Sequence, residues 1–267
     1  MDDRSTGQVT QSAAEIYETF FVPALFGQWP PKMAEAAGLQ PGQRVLDVAC
    51  GTGVLACEAA RQVRPGGHVT GLDRNPGMLE IARRKEPSIE WQEGLAEALP
   101  FADAAFDAVL CQFGLMFFED RAKALAEMWR VVQPGCRIAV ATYSAADRSP
   151  GYAAMIGLLD RLFGPEIAAE LQGPFVLGDA QTLGGPFGEA GIGQPEIVEV
   201  AGEARFPSLE AWVHTDVKGW TLADKIDDAQ YRLLRDEALG ELARFAGPDG
   251  VVRFASPALF ATLRKPG

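Results

Sequence analysis

The apolar positions of this chain come in two periods. Short, nearly unbroken apolar runs stand at 44–49, 68–73, 104–114 and 137–143, and they have the character of strands buried on both faces. Helical patterns separate them. Val54 to Ala60 follows the first run, and Asn75-Pro76 supplies a cap and a first-turn proline behind the second. Leu125, Met128, Trp129 and Val132 then repeat at i, i+3, i+4, i+7 behind a cap at Asp120. Strand and helix in alternation predict an α/β fold on a parallel sheet. Ahead of this core, Ile16, Phe20, Phe21, Leu25 and Phe26 predict a helix from Ala13 to Trp29, interrupted near Pro23. Pro31 to Gly38 is a further short helix, and residues 1–12 are polar and expected to be mobile.

The second half is patterned differently. Met155, Leu158, Leu159, Leu162 and Phe163 form one amphipathic stripe, and Glu166 to Leu171 is a shorter helix. The stretch from Gly173 to Gly193 reads as loops around one weak helix. A strand is expected from Ile197 to Phe206, and the last one within Val251 to Arg264. Leu209, Trp212, Val213, Val217 and Trp220 make a second stripe, and Ile226, Leu233, Leu234, Leu242 and Phe245 a third. The expected organisation is one domain over 1–267 with its core at 36–145. Helical segments 146–175 and 208–248 are expected to cap the carboxyl ends of the strands.

The chemistry centres on Arg44-Val45-Leu46-Asp47-Val48-Ala49-Cys50-Gly51-Thr52-Gly53, a strand running into a glycine turn and a helix N-terminus. Glycines let the backbone approach a ligand, and the helix end presents unpaired N–H groups. The spacing Gly51-x-Gly53-x-x-Ala56, with Asp73 about 20 residues on, fits a dinucleotide fingerprint. Asp47 argues otherwise: a carboxylate at the end of the first strand repels a pyrophosphate and suits a cation. S-adenosylmethionine, with a sulfonium and an ammonium, is such a ligand.

This stretch resembles motif I of the class I S-adenosylmethionine-dependent methyltransferases, of the methyltransferase type 11 and ubiquinone-menaquinone biosynthesis-like family. Ala49 stands where that family often has glycine. The resemblance extends over residues 13–145. Trp91 to Phe101 is similar to the family's G-D-A-x-x-L-P-F, Phe106-Asp107-Ala108-Val109 to its F-D-x-V, and Val131 to Cys136 to its R-x-L-x-P-G-G turn. It implies a Rossmann-like, doubly wound sheet of seven strands, mostly parallel with an antiparallel last strand, plus the helical cap. It further implies a cofactor site at Asp47, Ala49, Gly51, Gly53, Asp73, Arg74, Met78, Leu95, Ala96, Gln112 and Tyr17. Asp73 would take the ribose hydroxyls, Met78 would pack on adenine, and Tyr17 would fold over the cofactor. Leu95 replaces the aspartate that commonly receives the adenine amino group, which leaves adenine to backbone groups near Ala96. Cys111, Gln112 and Phe113 would line the place where donor and acceptor meet, and Leu115 to Phe118 would either wall a pocket or dock into the core.

Methyl transfer from a sulfonium is an in-line displacement that needs alignment, water exclusion and a base only for a protonated nucleophile. His214 and Tyr143 are the candidate bases; His68, at the far end of its strand, reads as structural. The acceptor implied is a small, fairly apolar molecule. The formal charge of −12 disfavours nucleic acid substrates. No run is long enough for a membrane span, no signal-peptide pattern opens the chain, and Cys50, Cys57, Cys111 and Cys136 lack metal-ligand spacing, so a cytoplasmic protein without metal is expected. Cys50 and Cys111 read as small core hydrophobes, a thiol pair being the alternative. A magnesium-dependent catechol enzyme and an arsenic methyltransferase lack their ligand sets here. Two other classes stay open: a binding protein for the same cofactor without methyl transfer, and a nicotinamide oxidoreductase.

Overall fold

The computed structural model describes residues 11–218, 222 and 225–267. The predicted tail over residues 1–10 and the stripe position Trp220 lie outside the described residues.

The chain opens with α1 (Gln11–Ile16), a π-helical segment (Tyr17–Phe26) and α2 (Pro30–Ala37). The proline expected to interrupt the first helix is absorbed instead. The wider turns, with Gly27 N–H donating to the Val22 carbonyl at 2.7 Å, accommodate Pro23 inside the helix. Then strand and helix alternate: β1 (Arg44–Val48), α3 (Val54–Gln62), β2 (His68–Asp73), α4 (Pro76–Lys85), β3 (Glu90–Glu93), β4 (Phe106–Gln112), α5 (Arg121–Val131) and β5 (Val132–Tyr143). The caps are the predicted ones. Asn75 Oδ1 accepts from the N–H groups of Gly77 and Met78, and Asp120 Oδ1 from that of Lys123. The Leu115–Phe117 turn docks inward through Leu115 and Met116 while Phe117 stays exposed.

Beyond β5 come α6 (Pro150–Phe163), α7 (Pro165–Gln172), α8 (Ala180–Glu189), β6 (Glu196–Val200), β7 (Glu203–Phe206), α9 (Leu209–Lys218), α10 (Asp228–Glu241), β8 (Val252–Ala255) and β9 (Ala258–Arg264). Two expected strands are each divided. The 197–206 run splits into β6 and β7, and 251–264 into β8 and β9. β7 and β8 leave the main sheet as a two-stranded antiparallel ribbon. The cause is aromatic: Phe206 of β7 and Phe254 of β8 pack on Trp212 of α9, at ring centroids of 5.8 and 4.7 Å. In α10, Leu234 is buried but Leu233 is 46% exposed, so the predicted stripe is narrower than drawn.

The main sheet has seven strands in the order β3-β2-β1-β4-β5-β9-β6. All run parallel except β9, which pairs antiparallel with both β5 and β6. β1 is therefore central, with Asp47 level with Gly71 on one side and Leu110 on the other. Strand order reverses between β1 and β4, and in such sheets the crevice at the carboxyl ends of those strands is where ligands sit. Among the described residues no helix is long and apolar enough to cross a membrane.

Candidate cofactor site

The glycine turn leaves β1 at that crevice. Gly51 and Gly53 have φ of 54° and 81°. At Gly53 the need is double, because an added Cβ would also lie 2.4 Å from the ring of Trp91. The indole is fixed by its Nε1–H, which donates to the Glu86 carbonyl at 2.9 Å. Trp91 thus props the turn from β3, a role the sequence reading did not assign. Ala49 also has a positive φ, 57°. Its methyl fits because Gly114, after β4, has no Cβ; one there would stand 2.7 Å from it.

Asp47 is 1% exposed. One carboxyl oxygen takes the Ala56 N–H in the first turn of α3; Oδ2 has no partner. Burial pushes this carboxyl well above the usual carboxylate range, the Ala56 N–H pulls it back, and Asp73 pushes it up again. Asp73 is buried at the end of β2. Its Oδ2 accepts the Gly51 N–H and its Oδ1 the Asn75 N–H, each at 2.8 Å. Burial raises its pKa too, against those N–H groups. Two neighbouring buried carboxyls that hold their protons tightly are brought to the ionised form by a nearby positive charge. Gln112 Oε1, at the end of β4, and Thr52 Oγ1 are also buried without a partner. An unpaired buried acceptor costs about 1–3 kcal/mol, so a ligand carrying N–H and O–H donors fits this set.

Tyr17 lies across the turn, its ring 3.9 Å from the position of a Cβ on Gly51, and stacks on Phe26 at 5.1 Å. Burial, then the charges of Asp73, Glu18 and Asp47, keep its phenol protonated. Met78 forms a small buried cluster with Ala14 and Ile81, against which Tyr17 packs. Ala96 is buried, whereas Leu95 is 49% exposed beside it. Arg74 points away to Glu119 (3.8 Å), half-exposed.

The two candidate bases fare differently. His214 is exposed on the outer side of α9, its Nδ1 3.3 Å from the Tyr231 hydroxyl on α10; helical phase carries it away from the buried stripe and from this site. Tyr143 is buried at the end of β5, its ring 4.4 Å from that of Phe113. Burial first, then Tyr17 and Asp216, hold its phenol far above 10, so it stays protonated and donates rather than accepts a proton. Cys50 and Cys111 are free, buried thiols; burial pushes Cys111 up to about 12. No metal-holding cluster occurs among the described residues.

The arrangement, a doubly wound sheet with a cation-seeking crevice at its order reversal, defines a Rossmann-like methyltransferase architecture. Residues 46–140 match a family model described as a methyltransferase domain. The chain is 46% identical over 117 residues to a demethylmenaquinone methyltransferase of Renibacterium salmoninarum, covering 44% of this chain and 48% of that one. It is 38% identical over 146 residues to the ubiquinone/menaquinone biosynthesis C-methyltransferase UbiE of Cronobacter sakazakii, covering 51% and 58%. The chain thus spans about half the length of the curated relatives it matches. In shape it is similar to phosphoethanolamine N-methyltransferase 2 of Haemonchus contortus in complex with S-adenosyl-L-methionine, with a TM-score of 0.63 at 19% identity over 99% of this chain and 59% of that one. Residues 46–140 therefore form a methyltransferase domain, on a fold shared with that S-adenosyl-L-methionine complex. That sets the nicotinamide reading aside.

Proposed function

We propose that this chain transfers the methyl group of S-adenosylmethionine to a small, largely apolar acceptor held under the segments 146–175 and 208–248. The observation that carries the reading is Asp47 Oδ2, a buried, unpartnered carboxylate oxygen beside the glycine turn. The cofactor supplies a methyl already activated on a sulfonium. The protein then has to bind, orient and exclude water. In this reading Asp47 and Gln112 hold the amino-acid end. Asp73 offers the second lone pair on each oxygen to the ribose hydroxyls. Met78, Leu95 and Ala96 flank adenine, and Tyr17 with Phe26 closes over the turn. Arg74, half-exposed, stays near the ribose end only through its neighbour Asp73. The demethylmenaquinone in the name of one curated relative, and the ubiquinone/menaquinone biosynthesis in the name of the other, support an aromatic acceptor. The charge of −12 speaks against nucleic acid, and free thiols suit a cytoplasmic setting.

Titration calorimetry with S-adenosylmethionine and with NADH tests the reading: the first binds, the second does not. Asp73→Ala weakens binding by about 2 kcal/mol, since it removes hydrogen bonds to a charged acceptor. Affinity unchanged in that variant refutes the ribose role. Incubation of metabolite extracts with donor labelled in the methyl group separates an enzyme from a mere binder, because only an enzyme passes label to a small molecule.

A further inference from the structure

A row of rings leads from the cofactor crevice into the second half of the chain. Tyr17 stacks on Phe26, and Phe26 lies 5.5 Å from Phe113, which stacks on Tyr143. Tyr143 meets Phe175 at 5.5 Å, Phe175 meets Tyr152 of α6 at 5.3 Å, and Tyr152 meets Trp212 of α9 at 6.3 Å. Phe113 holds a φ of 56°, a conformation that a bulky residue keeps only where its surroundings impose it. At the far end Trp212 Nε1–H donates to Asp216 Oδ2 at 2.7 Å.

Three oxygens along this row are buried and have no partner: the hydroxyls of Tyr143 and Tyr152, and Asp216 Oδ1. Their residues are 3%, 3% and 1% exposed. Tyr143 and Tyr152 both meet Phe175, and Tyr152 meets the Trp212 that bonds Asp216, so the three oxygens belong to one run of contacts, which adjoins the cofactor side through Phe113 and Phe26. Buried polar atoms in native proteins are as a rule paired. A patch that is apolar on its walls and unpaired at three oxygens has the character of a ligand site.

We infer that Tyr143, Tyr152 and Asp216 form the acceptor site, that its ligand is a planar ring bearing an ionisable hydroxyl, and that Asp216 takes the hydroxyl proton. The inference rests on the methyltransferase reading above and adds the acceptor class and the base. The proton passes to Asp216 Oδ1 and its electron pair stays on the acceptor. A bond forms from the acceptor's oxygen, or from the ring carbon conjugated with it, to the methyl carbon, and the carbon–sulfur bond breaks with its pair going to sulfur. Negative acceptor and positive sulfonium become two neutral products. For attack at carbon, the displaced ring hydrogen leaves as a proton to solvent and Asp216 returns its own to the oxygen. The two phenols donate to the acceptor's oxygens. Burial lifts the Asp216 carboxyl to about 8, with the Trp212 N–H pulling it back, which places it near the operating range of a base for such a hydroxyl.

The test uses 2-naphthol, whose ionised form absorbs at longer wavelength than its neutral form, and naphthalene, which lacks the hydroxyl. Both are titrated into the full chain at pH 8 with saturating S-adenosylhomocysteine, after S-adenosylmethionine binding has been measured on the same samples. The wild type should bind 2-naphthol with the band of the ionised form and bind naphthalene at least about tenfold more weakly. Asp216→Asn should lose that band yet keep its affinity for S-adenosylmethionine. Tyr152→Phe, which removes one oxygen and keeps the ring, should bind 2-naphthol about tenfold more weakly. A band that persists in Asp216→Asn, or equal binding of naphthalene, overturns the inference. So does a wild type that takes up S-adenosylmethionine but leaves 2-naphthol unbound or neutral. A wild type that takes up no S-adenosylmethionine overturns the methyltransferase reading as well.

Discussion

Asp47 and Asp216 are two buried carboxyls with the same local accounting and opposite surroundings. Each is 1% exposed, each has one oxygen bonded to a neighbouring N–H, and each has one oxygen without a partner. Asp47 shares its crevice with a second acid, Asp73, and the start of α3. Asp216 has tryptophan and tyrosine rings around it. A pair of acids in one crevice, once ionised, is satisfied by a cation. A lone acid among rings is satisfied by a proton. The halves of the molecule thus differ in what they lack, and that difference tells donor side from acceptor side.

The largest effect that separates the two is on stability against pH. A carboxyl whose folded pKa is raised keeps its proton in the native state after the unfolded chain has released it. Stability is therefore full below the ordinary aspartate value of 3.8 and falls as pH rises toward about 8, where Asp216 ionises. Urea unfolding from pH 4 to 9 should show this decline, with Asp216 contributing at most about 5 kcal/mol at 1.36 kcal/mol per pH unit. Asp216→Asn should remove its share. Saturating S-adenosylmethionine should remove the share of Asp47 and Asp73, whose shifts have the same sign, and the two treatments should add. If the cofactor alone flattens the whole curve, the contrast between the halves is wrong.

Next comes Gly53→Ala. Its Cβ would meet Trp91 at 2.4 Å in a left-handed backbone, and we expect a loss of about 3 kcal/mol by urea unfolding together with loss of cofactor binding. Smaller is Gly114→Ala, which crowds Ala49 and should cost about 2 kcal/mol, partly restored in Gly114→Ala/Ala49→Gly. Smallest is Ala49→Gly alone. Relief of the positive φ outweighs the entropy given to the unfolded chain, for a gain of about 0.5 kcal/mol by thermal unfolding. A destabilised Ala49→Gly would mean that the methyl is a packing contact the donor side needs.

How legible each half was in the sequence follows the same division. The donor side demands particular backbone geometry, and backbone demands leave marks: glycines at a turn, an acid at each strand end, Asn75-Pro76 before α4. Those marks sit next to one another in sequence. Trp91 was not legible, because its partners Gly53 and Gly71 reveal it only through the side chains they do not carry. On the acceptor side side-chain packing does the positioning, and packing has no fixed spelling. Yet one signal was there. Asp216 falls on the buried stripe of α9, between Val213 and Val217 and four residues after Trp212, where an acid breaks the pattern. His214 drew attention by residue type, although helical phase puts it outside. The 197–206 and 251–264 runs each read as one strand because β propensity does not say which sheet a strand joins; Phe206 and Phe254, paired across Trp212, decide it.

The place of β9 has a consequence for how the molecule comes together. It is the last of the described strands to leave the ribosome, yet it occupies an inner slot, with β5 on one side and β6 on the other. Until it arrives, both neighbours wait with open edges. Cutting the chain before Ala258 would therefore strip β5 of its outer partner and set β6 adrift from the sheet.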